Sequence, residues 1–317
     1  MVAGRRTCSP FQPSSHAKIL LVIIGDHADV SPAMQDFAQN QPGYYRYRIF
    51  GSSSFLAGLI FAVSAWGQTP GPASTYFLTA GDQGNIVTIQ GSTATTTPAT
   101  SFGQYTIVVL GAAIRTTGSL PNAQGREYTL SGAATGTIFA LPNPISNAFD
   151  ATTDGISNFL VDFTNQIVFR TNLDYTNPVA LFSVTGGSFL GITYDPTNNS
   201  LWLSQFGGTL VKDFSLTGSV LSSFTATTAG GGSLGSLSSL ALEYSTGTLW
   251  LGSQTTQGTF YQYSKTGTLL QTVTYANLTG QNTLGGEFAF AAIPEPSTYA
   301  LLAVGLGGLI WFRRRRA

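Results

Sequence analysis

The chain has 317 residues, only 9% of them charged, and its 14 basic and 14 acidic residues give a formal net charge of zero. Residues 68–296, however, contain five basic and eleven acidic residues, a net charge of −6. This segment lacks the clustered Lys and Arg needed to bind nucleic acid, so no nucleic acid partner is expected. Its many Gly, Thr and aromatic residues favour strands and turns over helices.

The single cysteine and both histidines, Cys8, His16 and His27, all precede residue 45. The rest of the chain therefore has no disulfide framework, no Ser-His-Asp triad, no Cys nucleophile and no His-ligated metal. We predict no cofactor, no metal site and no catalytic residue, and we expect the fold to be stabilised by its own hydrophobic core.

The N-terminal part divides into two segments. Residues 1–45 show no coherent pattern, and we interpret them as an extension that translation from Met34 would largely remove. Residues 46–67 are typical of a secretory signal peptide, because two arginines precede an apolar run, Phe55–Val63, that ends in small residues. The alternative for this run is a buried core helix.

The body of the chain, 68–292, contains a sequence repeat. Ile192–Gln205 and Leu240–Ser253 share a Leu-Trp-Leu core at an offset of 48 residues, and Asp213–Leu221 and Gln262–Leu270 extend the match at an offset of 49. Each unit predicts four short strands separated by Asn-Asn, Thr-Gly or Gly-Gly turns. Four strands in about 45 residues are typical of a propeller blade. The units resemble blades of the NHL and related propellers.

We therefore predict an all-β fold, a β-propeller of five or six four-stranded blades within 68–292. A weaker copy of the repeat begins near Asp150, Thr75–Ile89 reads as the inner hairpin of a first blade, and the region 102–142 fits the repeat less well. A strand within Gly285–Ala292 is expected to close the ring by pairing with the start of the body. A β-sandwich or an irregular β-solenoid is the alternative.

Three carboxylates recur at one position of the repeat as we align it, just after the first strand: Asp150, Asp195 and Glu243. An acidic residue repeated in this way more often forms a turn, by accepting hydrogen bonds from the backbone ahead of it, than acts in catalysis. Trp202 and Trp250 lie in strands that are apolar on both faces, so we expect them in the core.

The non-repeated carboxylates leave an enzyme open as an alternative. Glu127, Asp162 and Asp174 would need to converge in one cleft to serve a carbohydrate-active enzyme. A third hypothesis, ice or mineral binding through Thr-rich faces, has little support because Thr93–Thr97 is short. The expectation is a protein that is not an enzyme.

The last segment, 293–317, has three parts in sequence. It opens with a short polar motif made of Pro294, Glu295, Pro296 and Ser297. It continues as an apolar run, Tyr299–Phe312, and it ends in Arg313, Arg314, Arg315 and Arg316. The run is short for a membrane span, but four arginines cannot enter a core and hold their end on the cytoplasmic side. We predict a short transmembrane helix oriented by the arginines.

This order of parts resembles the PEP-CTERM protein-sorting signal of Gram-negative bacteria, also described as an ice-binding protein C-terminal domain. The resemblance implies that a membrane-embedded exosortase recognises Pro294–Pro296 and cuts near it. It also implies export across the inner membrane, C-terminal anchoring before processing, and a later location at the cell surface or outside the cell. We therefore predict an exported surface or biofilm-matrix protein with a non-catalytic binding or structural propeller, whose partners are the exosortase and extracellular polysaccharide.

Overall fold

The structure is a computed structural model that describes residues 70–290. These residues form twenty strands and two short 3-10 helices, Gly81–Gln83 and Ala276–Leu278. In chain order the strands are β1 (Tyr76–Ala80), β2 (Asn85–Gln90), β3 (Thr93–Pro98), β4 (Gln104–Leu110), β5 (Ala113–Gly118), β6 (Gln124–Thr129), β7 (Ala134–Ala140), β8 (Ala151–Thr153), β9 (Ser157–Asp162), β10 (Ile167–Asn172), β11 (Val179–Ser183), β12 (Ser188–Asp195), β13 (Ser200–Phe206), β14 (Leu210–Ser215), β15 (Val220–Thr225), β16 (Leu237–Glu243), β17 (Thr248–Ser253), β18 (Thr259–Tyr263), β19 (Leu269–Thr274) and β20 (Gly285–Phe288).

The strands form five antiparallel four-stranded sheets, the blades of a five-bladed propeller. Blade 1 has the order β20-β1-β2-β3, and blades 2 to 5 contain β4–β7, β8–β11, β12–β15 and β16–β19. The predicted propeller is confirmed, with five blades. Within residues 70–290, no helix has the length and apolar character to cross a membrane. The predicted signal helix at 46–67 and transmembrane helix at 293–317 lie outside the described residues.

The C-terminal strand of the described chain closes the ring. β20 pairs antiparallel with β1, with Phe288 opposite Tyr76 and Gly285 opposite Thr79. The predicted closing strand is therefore confirmed. The interpretation of Thr75–Ile89 as an inner hairpin is wrong, because β20 occupies the innermost position and makes β1 and β2 the middle strands of blade 1.

Two consecutive glycines allow β20 to fit at the centre of the molecule. A Cβ atom on Gly285 would collide with the carbonyl oxygen of Tyr105, and one on Gly286 would collide with the hydroxyl of Tyr76. At Gly285 the inner strand of blade 2 therefore approaches too closely for any side chain, and at Gly286 the buried hydroxyl of Tyr76, from the adjacent strand β1, occupies the space. This explains why the closing strand begins with Gly-Gly.

Hydrophobic clusters fill all five interfaces between neighbouring blades. Trp202 belongs to the cluster between blades 4 and 5, and Trp250 belongs to the cluster between blades 5 and 1. Both indoles are almost completely buried, as predicted for strands that are apolar on both faces. Burial of large apolar side chains contributes about 1.5–3 kcal/mol each, so these clusters supply the core of a fold without disulfides.

The five inner strands surround the axis and all run in the same direction along it. The propeller therefore has two faces, one where these strands begin and one where they end. We name the face where they end the tail face, because Phe290 follows β20 there and forms a parallel bridge with Leu110 at the end of β4. We name the opposite face, where the inner strands begin, the row face. The turns after β4, β8, β12 and β16 lie on the tail face, whereas the connections that lead into these strands lie on the row face.

Candidate functional site

The predicted sorting-signal residues and the orienting arginines cannot be placed. Pro294–Ser297 and Arg313–Arg316 lie outside the described residues. Within 70–290, His, Cys, Asp and Glu side chains form no group of three or more that could hold a metal ion.

Two of the three recurring carboxylates form turns, as predicted. Asp195 Oδ1 accepts hydrogen bonds from the amide and the hydroxyl of Thr197 at 3.0 and 2.6 Å, and its Oδ2 accepts the indole N–H of Trp202 at 3.1 Å. Glu243 Oε2 likewise accepts the indole N–H of Trp250 at 3.1 Å. Each carboxylate therefore stabilises the turn after its inner strand and orients the buried tryptophan of the next strand.

The interpretation of Asp150 as a turn former is wrong. Thr153 lies opposite Asn158 in blade 3, as Asp195 lies opposite Ser200 in blade 4. The structural equivalent of Asp195 is therefore Thr153, three residues after Asp150. The similarity of Phe149-Asp150 to Tyr194-Asp195 suggested an alignment of blades 3 and 4 that differs by three residues from the structural one.

Asp150 instead joins three blades at the axis. It is fully buried, and its Oδ1 accepts the amides of Ala151 and Gly286 at 2.9 and 3.1 Å, while its Oδ2 accepts the amide of Ile192 at 3.1 Å. These donors belong to blades 3, 1 and 4. Burial raises the pKa of Asp150 well above its usual value, although the three amides oppose the shift.

A second buried carboxyl lies at the axis and was not predicted. Glu287 is fully buried in β20, and its Oε1 accepts the amide of Phe288 at 3.1 Å and the hydroxyl of Tyr244 at 3.4 Å. Its Oε2 has no partner among the described residues. Burial raises the pKa of Glu287 to about 8. The one sequence signal was a carboxylate inside an otherwise apolar closing strand.

A cleft of about 570 Å³ between blades 2 and 3 brings two of the three non-repeated carboxylates together. Glu127 and Asp174 both line it, as does Arg115, whose Nε donates to Glu127 at 3.1 Å. Arg115 also donates to the carbonyl of Leu173 at 3.2 Å, and its guanidinium lies 5.6 Å from the ring centre of Phe139. The arginine thus occupies the space between the two acids.

The surroundings of these two acids do not favour a proton donor. Glu127 forms the ion pair with Arg115 and accepts the hydroxyl of Thr135 at 3.0 Å. Hydrogen bonds from the hydroxyl and amide of Thr176 lower the pKa of Asp174. Glycoside cleavage needs one protonated carboxyl beside one carboxylate.

Asp162 does not join this cleft. It is fully buried at the turn between β9 and β10, where it accepts five hydrogen bonds. The donors are the amides of Ser146, Asn147, Thr164 and Asn165 and the side-chain amide of Asn165. The condition set for the enzyme hypothesis, convergence of three carboxylates, is therefore only partly met, and Asp162 serves to fix two loops of the row face.

Four partly exposed aromatic rings form a continuous row across the row face. Tyr105 meets Phe149 at 5.4 Å between ring centres, Phe149 meets Phe163 at 5.6 Å, and Phe163 meets Phe206 at 5.7 Å, each edge to face. We name these four residues the aromatic row. They come from blades 2, 3 and 4, and each lies where an inner strand begins or its neighbour ends. Contiguous apolar surface of this kind marks interaction sites.

Polar groups flank the aromatic row at its Tyr105 end. The phenol of Tyr105 donates to Asp82 Oδ1 at 2.6 Å, and the side-chain amide of Asn282 donates to Asp82 Oδ2 at 2.7 Å. Burial, and then the neighbouring Asp82, raise the pKa of Tyr105 to about 12, so the phenol keeps its proton. The amide oxygens of Asn147 and Asn282 are buried and have no partner among residues 70–290.

Sequence reasoning missed the aromatic row and Arg115. The four rings are separated by 14 to 44 positions, and only the closure of the ring brings them together. Arg115 lies in β5, a strand that was not predicted because the segment around it lacks regular apolar alternation. Its presence in a body with only five basic residues was the available signal.

The comparisons with known proteins identify the tail but not the body. Residues 292–316 match the PEP-CTERM protein-sorting motif. This motif implies export, C-terminal anchoring before exosortase processing, and then surface localisation. No curated protein matches the chain.

Several solved structures share only low similarity with the propeller. A chain of a nidogen/laminin complex has 11% identity and a TM-score of 0.49, with 69% of this chain and 100% of that chain covered. Virginiamycin B lyase from Staphylococcus aureus has 15% identity and a TM-score of 0.39, with 63% and 66% covered. Glutaminyl cyclase from Myxococcus xanthus has 14% identity and a TM-score of 0.44, with 62% and 82% covered. At these scores, none of the likenesses indicates a function.

Proposed function

We propose that the propeller is a non-catalytic binding module of the cell surface or biofilm matrix, and that its ligand is a neutral extracellular polysaccharide bound on the row face. The sorting motif at 292–316 brings the chain to the surface through an exosortase. The observation that carries the binding proposal is the aromatic row with its flanking carboxylate and amides.

The chemistry of the row face suits sugar rings. Ligand sites combine apolar and aromatic surface with a few oriented polar groups. The aromatic row offers C–H contacts to pyranose faces, while Asp82 and the side-chain NH2 group of Asn282 beside it offer an acceptor and a donor to hydroxyl groups. The net charge of −6 between residues 68 and 296 disfavours acidic polysaccharides, which carry charge of the same sign.

The positions of the carboxyls support a protein without catalytic activity. The two carboxyls with raised pKa at the axis, Asp150 and Glu287, are fully buried. The two acids in the cleft, Glu127 and Asp174, lie on either side of Arg115 and are engaged as carboxylates. No ligand can reach Asp150 or Glu287, and the contacts of Glu127 and Asp174 do not favour either as a proton donor.

Binding of the processed protein to immobilised neutral and acidic polysaccharides tests this proposal. Phe163→Leu and Asp82→Asn should each weaken binding to a neutral polymer, the former by about two- to tenfold because an aromatic contact contributes about 0.5–1.5 kcal/mol. Phe182→Leu is the matched control, since this partly exposed phenylalanine lies on the outer strand of blade 3 and stacks on Phe214 rather than on a ring of the aromatic row. Equal binding by all variants, or no binding to any polymer, would refute the proposal.

One observation favours the alternative, a carbohydrate-active enzyme, namely the cleft that Glu127 and Asp174 share. The same polysaccharides, incubated with the protein and assayed for new reducing ends, test it. We expect none. Hydrolysis that Asp174→Asn abolishes would replace the binding proposal with the enzyme.

A further inference from the structure

The chain leaves the propeller at the centre of the tail face. The amide of Phe290 donates to the carbonyl of Val109 in blade 2 at 3.1 Å. Its ring lies 6.2 Å from that of Tyr194 in blade 4 and 5.5 Å from that of Tyr244 in blade 5. A Cβ atom on Gly155 in blade 3 would lie 2.9 Å from the same ring. Phe290 therefore touches all four of the other blades, a position that only the axis provides.

The tether between this exit and the membrane segment is short. Pro294 follows Phe290 by four residues, and the apolar run begins at Tyr299, nine residues after Phe290. Fully extended, these spans reach at most about 14 Å and about 32 Å. A compact domain of about 220 residues has a radius of gyration of about 17 Å, so about 20 Å is needed merely to pass from the centre of a face to its rim.

We propose that, while the chain is anchored, the tail face lies against the membrane that holds the sorting protease, and the row face points away from it. The tether is too short to carry the row face round to the membrane. Cleavage near Pro294–Pro296 then uncovers the tail face, including Ile156 at the mouth of the Arg115 cleft. The inference rests on the sorting motif and the position of Phe290, and it holds whether or not the row face binds polysaccharide.

Blade 3 offers two matched reporter positions at opposite ends of β9. Ile156 lies in the turn before β9 on the tail face and is 80% exposed, and Thr164 lies in the turn after β9 on the row face and is exposed. Within residues 70–290, neither side chain donates or accepts a hydrogen bond. Because Cys8 is the sole cysteine, Ile156→Cys and Thr164→Cys in a chain with Cys8→Ser each give a single thiol.

The experiment compares the labelling of these thiols in an anchored and a released protein. A chain with Pro294→Ala and Pro296→Ala supplies the anchored form in permeabilised cells, and the processed chain supplies the released form. A bulky polyethylene-glycol maleimide should label Thr164→Cys equally fast in both forms. It should label Ile156→Cys much more slowly in the anchored form, whereas a small maleimide should label both sites alike and so report correct folding.

A long Gly/Ser linker inserted after Phe290 provides the decisive control. It lengthens the tether and should restore rapid labelling of Ile156→Cys in the anchored form. Equal labelling of both sites with the natural tether, or slow labelling that the linker does not change, would overturn the inference. Failure of the Pro294→Ala, Pro296→Ala chain to remain in the membrane would overturn it as well, whereas loss of polysaccharide binding would leave it standing.

Discussion

Replacing Glu287 with glutamine is expected to remove a large part of the pH dependence of the free energy of unfolding between pH 5 and pH 8. Glu287 is fully buried beside the axis, where one oxygen accepts two hydrogen bonds and the other accepts none within residues 70–290. Burial therefore raises the pKa of this carboxyl from 4.5 to about 8. The folded protein keeps a proton there that the unfolded chain has already lost.

The sign and size of the effect follow from proton linkage. Between pH 4.5 and about pH 8 the folded state binds more protons than the unfolded state, so stability falls as the pH rises. The slope approaches about 1.4 kcal/mol per pH unit, and the loss between pH 5 and pH 8 is about 3.5 kcal/mol. Above about pH 8 the loss levels off. Asp150, whose pKa burial also raises, adds to the loss in the same direction.

Urea unfolding of the wild type and of Glu287→Gln at several pH values between 5 and 8 measures this effect. The variant should be the more stable protein at pH 8, and its stability should decline less steeply, with the remaining slope due to Asp150. Asp174→Asn is the control, because hydrogen bonds lower the pKa of this exposed carboxylate and its stabilising contribution is lost only as the pH falls. Parallel pH profiles for wild type and Glu287→Gln would show that Glu287 is ionised in the folded protein and would refute the reasoning.

Three further substitutions test the packing and the polar contacts. Asp162→Ala leaves four backbone amides without their acceptor and should lower the free energy of unfolding by about 2–4 kcal/mol in urea titrations, whereas an unchanged midpoint would contradict this role. Gly286→Ala should lower the melting temperature, because its Cβ meets the Tyr76 hydroxyl at the axis, whereas Gly230→Ala, which meets nothing within 4 Å, should not. Lys265→Met removes the ion pair at 2.6 Å with the buried Asp195 carboxylate, whose pKa this lysine helps to hold below its usual value against burial. This substitution should lower the free energy of unfolding by about 1 kcal/mol or more at neutral pH, and NMR titration should show a higher pKa for Asp195.

The sequence repeat predicted blades 4 and 5 well because the residues that define each blade lie close together in the sequence. The Leu-Trp-Leu strands, the turns before them and the acidic residues that accept the indole N–H groups all lie within about ten residues of one another. Trp202 with Asp195 and Trp250 with Glu243 are therefore visible as a spacing in the sequence. The offset of 48 residues in the first half of each repeat equals the offset between the paired hairpins in the structure.

The axis could not be predicted because its contacts depend on closure of the ring. Asp150 receives the amide of Gly286 from a strand 136 positions away, and this contact exists only when β20 completes blade 1. The contacts within the aromatic row likewise form only when the blades assemble into the ring. The prediction of blade 2 failed for a different reason, since β5 carries Arg115 and four polar or small residues and shows no regular apolar alternation.

The closing strand connects stability with sorting, and this connection predicts where processing stops. β20 supplies the innermost strand of blade 1, buries Glu287 and leads directly to the sorting motif at 292–316. A cut before Gly285 would remove that strand together with Glu287, and it would expose Asp150 and the edge of β1 to water. Mass spectrometry of the processed protein should therefore find a C-terminus beyond Phe290. A chain truncated at Leu284 should unfold at far lower urea concentration than one truncated at Ala292, and a stable, properly folded 70–284 fragment would contradict the role of β20 in closure.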